Sequence, residues 1–268
     1  MKKIILSLAF NCILALGIQA QQGLYVGAGF GYGFRAGSTI TGSNANADGS
    51  SKIVKGSYGA GMIPNLSVGY LFTKSIGAQL DLGYLIGTKA EVKDENGNSR
   101  GTTDYRANSF YLNPSLVIRA NTESKFVPYA KLGLFFGVGN SGTVKQDQSN
   151  YSGAQQLTQT NESKLQYKGG ISTGVTSAFG LDIMLSDKLA VFGELTGRLA
   201  SWAPHSYTAT NTTTNYAGGN PQPAQQSSVS GNYVKETPAN YAGTNASSVI
   251  LPFSSIGFNV GVKLYLSK

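Results

Sequence analysis

The sequence alternates between two kinds of residue along several stretches, and this alternation constrains the fold more than any other feature. In residues 24–35 the even positions are all apolar or aromatic, and the odd positions are glycine apart from Tyr25 and Arg35. A period of two places successive side chains on opposite faces of a β-strand. This stretch is therefore predicted to be a strand with one bulky apolar face and one small face.

Seven further stretches show the same alternation, at about 58–72, 76–92, 107–120, 126–138, 168–185, 189–199 and 255–266. In all eight, the apolar face carries no Asp, Glu, Lys or Arg. The small, polar face carries the charged residues Arg35, Asp81, Lys89, Glu91, Arg119, Lys131, Lys168, Asp182, Glu194, Arg198 and Lys263. Such a sheet is stable when its apolar face meets lipid and its polar face lines a closed interior. We predict an all-β fold, a transmembrane up-and-down antiparallel β-barrel.

The connectors between the stretches alternate in length. Residues 73–75, 121–125 and 186–188 make short turns, whereas about 36–57, 93–106, 139–167 and 200–254 are long. Short turns on one side and long loops on the other are typical of an outer-membrane barrel, with both termini on the periplasmic side. We predict eight strands and polar, mobile extracellular loops. Ten strands would follow if residues 206–216 paired within the last loop.

The N-terminus has the layout of a secretory signal peptide. Met1–Lys3 is basic, residues 4–18 are mostly apolar, and Ala20 is a small residue at the end of the segment. This apolar stretch is short for a transmembrane helix, which needs about 20 residues. We predict that residues 1–20 are cleaved and that residues 21–268 form one barrel domain. Cys12 is the sole cysteine, so a disulfide or zinc framework is excluded.

The charges point to the barrel interior rather than to an external basic surface. The formal net charge is +8, but the polar face of the strands holds seven cations against four anions. Nucleic acid is therefore not a predicted partner, because no external basic patch is present.

The interior of an eight-stranded barrel is only wide enough to be filled by side chains, and unpaired buried charges are costly. We therefore predict an ion-pair network across the lumen. It forms a structural plug or, alternatively, a gated narrow polar path. Its predicted members are Asp81, Arg119, Lys131, Asp182, Glu194, Arg198 and Lys263.

Two prolines fall inside predicted strands, Pro64 in the second and Pro114 in the fourth. Proline cannot donate a hydrogen bond to the strand ladder. Each could kink a strand to shape the lumen, but a tolerated β-bulge is the simpler interpretation, and we favour it.

The residues do not predict an enzyme. His205 is the sole histidine, and it is followed directly by Ser206, so the two side chains point to different faces of an extended segment. No acidic residue lies close by in sequence; the next one is Glu236. The closely spaced glycines of residues 27–33 lie within a strand and are not a nucleotide-binding loop. We predict no catalytic residue, no cofactor and no metal site.

Four segments resemble the small outer-membrane β-barrel superfamily that includes the OmpA transmembrane domain, OmpX, OmpW and the opacity proteins. They are Asn65–Phe72, Val127–Leu134, Gly180–Asp187 and Asn259–Leu266. The last segment is similar to the signal read by the barrel assembly machinery, with Asn259, Gly261, Leu264 and Leu266 at its key positions. It departs from that signal in ending on leucine rather than on an aromatic residue.

The resemblance implies a location in the cell outer membrane, reached through the periplasm. The partners it implies are outer-membrane lipid, lipopolysaccharide and, during biogenesis, the barrel assembly machinery. We predict a structural or surface-interaction protein whose long loops meet a partner that the sequence does not name. The alternative is a narrow porin-like or OmpW-like channel for small solutes.

Overall fold

The computed structural model describes residues 23–36, 40–45, 51–55, 57–96, 98–120, 124–152, 156–234 and 244–266. The predicted signal peptide, residues 1–20, lies outside these ranges. Regular structure within them consists of β-strands. No helix there is long and apolar enough to span a bilayer.

The described ranges contain seventeen strands. In chain order they are β1 (Leu24–Arg35), β2 (Ile40–Ala45), β3 (Ser51–Lys55), β4 (Gly61–Leu71), β5 (Ile76–Gly87), β6 (Ala90–Asn96), β7 (Ser99–Arg119), β8 (Phe126–Tyr151), β9 (Leu157–Lys168), β10 (Ser172–Met184), β11 (Leu189–Trp202), β12 (Ser206–Ala217), β13 (Asn220–Pro221), β14 (Gln225–Val234), β15 (Ala246–Ser247), β16 (Leu251–Pro252) and β17 (Ser255–Tyr265).

Eight of these strands form a closed antiparallel ring, in the order β1, β4, β5, β7, β8, β10, β11 and β17. The last strand, β17, pairs with β1 from Tyr25↔Tyr265 to Arg35↔Ser255, which closes the circle. A closed ring satisfies backbone hydrogen-bonding groups on both sides of every strand, as the hydrocarbon core of a membrane requires. The predicted eight-stranded barrel is confirmed.

The predicted apolar face covers the outside of the ring. Leu132, Phe179 and Leu195 on three different strands are 66%, 72% and 71% exposed. Large apolar side chains at such exposure would be unfavourable in water over so wide a belt, and they suit contact with acyl chains.

Beyond the ring, strands β7 and β8 continue outward and carry further strands. This extension has the order β6, β7, β8, β9, β12 and β14, and we call it the extracellular sheet. Much of the segments predicted as loops at 93–106, 139–167 and 200–254 therefore consists of strands, and the prediction of loops there is wrong. The physical reason is that the protruding β7–β8 hairpin leaves strand edges, and the uncharged Thr- and Asn-rich segments complete them.

The ten-strand alternative fails for a related reason. Residues 206–217 do form a strand, but β12 pairs with β9 and β14 rather than entering the ring. The barrel itself keeps eight strands.

The extracellular sheet joins the barrel at a level where the alternation of side chains shifts. The β7–β8 register slips between Asn108 and Phe110, and Gly139 adopts φ +62°. On β8 the inward side chains are consequently odd-numbered in the ring, such as Phe135, and even-numbered in the extension, such as Val144. A β-bulge has this effect because it adds one residue to one strand.

Several predicted strand limits move because of this junction. The run at 76–92 is two strands, β5 and β6, and the run at 168–185 begins only at Ser172. As a result Lys89, Glu91 and Lys168 are exposed outside the ring. Their predicted place on the lumen face is wrong.

Neither proline forms the expected bulge. The β4–β5 ladder skips the two pairs at Ile63 and Pro64, and the β7–β8 ladder skips those at Asn113 and Pro114. The register is the same before and after each gap. Proline removes a donor from one side of the strand, while Pro64 still pairs with Phe30 and Pro114 with Leu80 on the other side.

Glycines on the inner face make room for tyrosines. Three cross-strand pairs join an inward glycine to an inward tyrosine: Gly69↔Tyr25, Gly83↔Tyr111 and Gly180↔Tyr129. In each pair a Cβ on the glycine would overlap the tyrosine ring. A small residue is needed there because the ring lies flat against the neighbouring strand.

We expect Gly180→Val to displace the Tyr129 ring and destabilise the barrel by about 1–3 kcal/mol, the usual cost of overpacking. Gly193→Val is the matched control, because Gly193 is in the adjacent strand and a Cβ there meets nothing within 4 Å. Urea unfolding of the refolded protein in lipid vesicles measures both. Equal stability of the two variants would contradict this packing role.

Candidate functional site

The barrel interior is the first candidate site, and strand β11 shows how it is layered. From its short-turn end outward, β11 points Ala190, Glu194, Arg198 and Trp202 into the interior, and all four are buried. A strand rises about 3.3 Å per residue, so each of these side chains marks a separate level of the lumen.

The level nearest the short turns is an apolar floor. Tyr25, Leu71, Ala190 and Tyr265 are buried together, and the rings of Tyr25 and Tyr265 are 5.4 Å apart. These side chains pack together at the end of the barrel interior nearest the short turns.

A charged layer lies above the floor. Lys131 Nζ is 2.8 Å from Glu194 Oε1 and 3.6 Å from Asp81 Oδ2. Lys263 Nζ is 2.8 Å from Asp182 Oδ1. All five residues are buried, so the structure brings together five of the seven predicted network residues.

Two tyrosines complete the charged layer. The Tyr129 hydroxyl donates to Glu194 Oε1 at 2.7 Å, and the Tyr265 hydroxyl donates to Asp182 Oδ2 at 3.1 Å. Lys263 Nζ lies 3.8 Å from the centre of the Tyr129 ring. Tyr129 therefore joins the two ion-paired groups, and the carboxylates gain the additional hydrogen bonds that a buried ion pair needs.

Arg119 and Arg198 do not join this network, which corrects the prediction for both. Arg119 lies over the Tyr265 ring at 5.2 Å. Arg198 lies over the Phe135 ring at 4.6 Å and donates to Gly59 O at 2.9 Å. Within the described ranges, no carboxylate lies within 4 Å of either guanidinium. Arg198 is four residues beyond Glu194 on the same strand, which places it one level too high to reach the acids.

A cavity of about 80 Å³, lined by both polar and apolar groups, lies between Arg198 and the charged layer. Asn65 donates to Asn259 Oδ1 at 3.0 Å in its wall, and Thr176 donates to Asn113 Oδ1 at 2.8 Å. A cavity of this size and polarity has room for several water molecules.

An aromatic cluster fills the outer part of the barrel interior, and we call it the outer plug. Its most deeply buried members are Trp202, Phe253, Phe135 and Leu85. The indole N–H of Trp202 donates to the Gly169 carbonyl at 2.8 Å. Trp202 and Phe253 lie in the segment predicted as a loop at 200–254. The one sequence feature that could have indicated a buried residue there is the sole tryptophan, which follows closely after the run at 189–199.

The last strand contributes to both sides of the wall. Asn259 faces the cavity, Gly261 is closely approached by the Ala28 carbonyl and the Phe192 ring, and Leu264 and Leu266 are exposed to the lipid side. The four positions predicted as an assembly signal thus have structural places in the folded barrel.

His205 is exposed, and its backbone N–H donates to Lys168 O at 3.0 Å. The described residues contain no group of three or more His, Cys, Asp or Glu that could hold a metal ion.

A family model described as "Outer membrane protein beta-barrel domain" matches residues 19–195, about two thirds of the sequence. The chain belongs to this family. It is an outer-membrane protein, as the lipid-facing belt and the closed ring require. No curated protein sequence matches the chain.

Several solved outer-membrane proteins are similar to it at low sequence identity. OprG of Pseudomonas aeruginosa is 15% identical, with 92% of this chain and 97% of that chain covered and a TM-score of 0.43. Escherichia coli outer membrane protein W is 14% identical, with 93% and 100% covered and a TM-score of 0.34. CarO of Acinetobacter baumannii is 13% identical, with 89% and 96% covered and a TM-score of 0.33.

Lys131→Met is expected to destabilise the barrel by about 3–5 kcal/mol, because it leaves Asp81 and Glu194 buried without their cation. Adding Glu194→Gln should recover part of the loss by removing one unpaired charge. Lys188→Met in an exposed turn is the control. Unfolding in urea reports all three, and an unchanged midpoint for Lys131→Met would contradict the ion-pair role.

Proposed function

We propose that this protein is a closed barrel that anchors and displays the extracellular sheet, with a structural or surface-interaction role and no enzymatic activity. The observation that carries the proposal is that buried side chains fill the interior at three levels, in the floor, the charged layer and the outer plug. Among the described residues beyond the ring, the extracellular sheet is the largest element. Function by contact with the surroundings therefore fits better than function by transport.

The charged layer supports a closed lumen because its ion pairs link different strands across the interior. Lys131 contacts two acids from two different strands, Asp81 of β5 and Glu194 of β11. A solute passing this level would have to break both contacts in a region of low dielectric, where separating charges is costly. The layer thus acts as a plug across the lumen.

A narrow channel is the second candidate function, and the cavity of about 80 Å³ above the charged layer supports it. The cavity lies between Lys131 and Arg198, and a small polar solute would find hydrogen-bonding groups there. This candidate requires rearrangement of both the floor and the outer plug.

Planar-bilayer recording of the refolded protein separates the two candidates. We expect no steady openings from the wild-type protein or from Lys131→Ala and Arg198→Ala, because each variant keeps the floor and much of the outer plug. A heat-modifiable gel shift serves as the folding control. Reproducible wild-type openings whose size changes in either variant would favour the channel.

The proposed partners follow from the two surfaces of the barrel. The apolar belt contacts outer-membrane lipid and lipopolysaccharide. Asn259, Gly261, Leu264 and Leu266 act as the signal for the barrel assembly machinery.

A further inference from the structure

Along strands β7, β8, β9, β12 and β14, the two faces of the extracellular sheet differ sharply in charge. One face continues the inner wall of the barrel, and strands β7, β8, β9, β12 and β14 place no charged residue on it. Beyond its apolar base it carries many amides, and we call it the amide face, defined by Gln148, Asn150, Gln159, Asn161, Asn211 and Asn215.

The other face of the same strands carries their charged residues. Lys89 pairs with Asp104 at 2.7 Å and Lys145 with Asp147 at 3.0 Å. Both faces extend beyond the barrel, so solvation alone does not explain why charge is confined to one of them. Surfaces of soluble domains ordinarily mix charged residues over the whole exposed area.

Hydrogen bonds across the strands orient the amides. Asn150 donates to Gln159 Oε1 at 3.2 Å, and Gln159 donates to Asn215 Oδ1 at 3.0 Å. Asn161 also donates to Gln159 Oε1, at 3.1 Å. An amide offers two N–H donors and two acceptor lone pairs, so each of these amides keeps hydrogen-bonding capacity after its contacts within the sheet.

Hydroxyl groups extend the same array towards the barrel. Thr213 donates to Asn161 Oδ1 at 2.9 Å, and Ser163 donates to Asn211 Oδ1 at 2.7 Å. The result is a broad surface of fixed, uncharged donors and acceptors. Its residues are half-buried or exposed rather than packed in a core.

Tyrosines lie at the base of the amide face, where it meets the outer plug. The rings of Tyr207 and Tyr233 are 5.2 Å apart, and those of Tyr167 and Tyr233 are 6.3 Å apart. Burial raises the pKa of Tyr233 to about 12. Such rings offer an apolar surface with a polar edge beside the amides.

We propose that the amide face binds a neutral, hydroxyl-rich ligand, namely an uncharged oligosaccharide chain outside the cell. Sugar hydroxyls both donate and accept hydrogen bonds, as side-chain amides do, and the apolar faces of sugar rings pack on aromatic rings. A nucleic acid or a sulfated glycan would need cations, which this face lacks. A protein partner would favour an apolar centre, where this face has amides. The inference rests on the proposed surface role and names its ligand class.

Binding of labelled oligosaccharides to the full-length protein in lipid nanodiscs tests the proposal. The probes are neutral oligomers of glucose, mannose, galactose and N-acetylglucosamine, with dextran sulfate as the charged probe. At least one neutral probe should bind, with an affinity that changes less than about twofold between 50 and 500 mM salt, because screening acts on charges.

Two double variants locate the site. Gln148→Ala with Gln159→Ala should weaken binding about tenfold or more, because each loses oriented hydrogen bonds. Gln166→Ala with Gln226→Ala removes the same chemistry from the other face of the sheet and should leave affinity unchanged. The heat-modifiable gel shift checks the folding of each variant. Gln148→Ala combined with Gln159→Asn, which keeps an amide at position 159, should bind more tightly than Gln148→Ala with Gln159→Ala.

Three results would overturn the inference. They are no binding of any neutral probe, binding of dextran sulfate alone, and equal loss of affinity in the two double variants. Failure of the closed-barrel proposal would be seen separately, as wild-type conductance with sugar binding intact.

Discussion

Closure of the eight-stranded ladder is the constraint on which the rest of the structure depends. In hydrocarbon there is no water for a free strand edge, and each unsatisfied backbone group costs several kcal/mol. The first and last ring strands therefore pair over eleven consecutive positions, from Tyr25↔Tyr265 to Arg35↔Ser255. Once the ring is closed, every side chain faces either lipid or a narrow interior. The sharp division between an uncharged outer face and a charged inner face follows from that choice.

The narrow interior also determines what can fill it. Tyrosines fit because glycines stand opposite them across the ladder, as Gly180 does for Tyr129. Tyr129 then holds Glu194 and lies beside Lys263. Small residues in the wall thus position the aromatic groups, and the aromatic groups position the charges. The packing and the electrostatics of the lumen are one arrangement.

The barrel could be predicted from the sequence because lipid imposes one rule on every outward position. The level of each inward charge was harder to predict. Asp81, Lys131 and Glu194 meet because their distances from the short turns agree, whereas Arg198 lies one level higher on its strand. The extracellular sheet was missed for another reason. Its strands are polar on both faces beyond the first rows, so alternation gives no signal, and their pairing depends on the edges of β7 and β8.

The shift in alternation at the junction explains why amides, rather than charged residues, lie on the inner face of the extracellular sheet. Without the slip between Asn108 and Phe110, the odd residues of β8 would continue on the inner face, and Lys145 and Asp147 would lie above the barrel mouth. The slip instead turns Gln146 and Gln148 to that side. Charges inside the barrel are fixed by partners in low dielectric, whereas charges above the mouth would be solvated and would attract counterions. Amides keep directional hydrogen bonding without that cost, which is consistent with the uncharged ligand proposed for the exposed inner face.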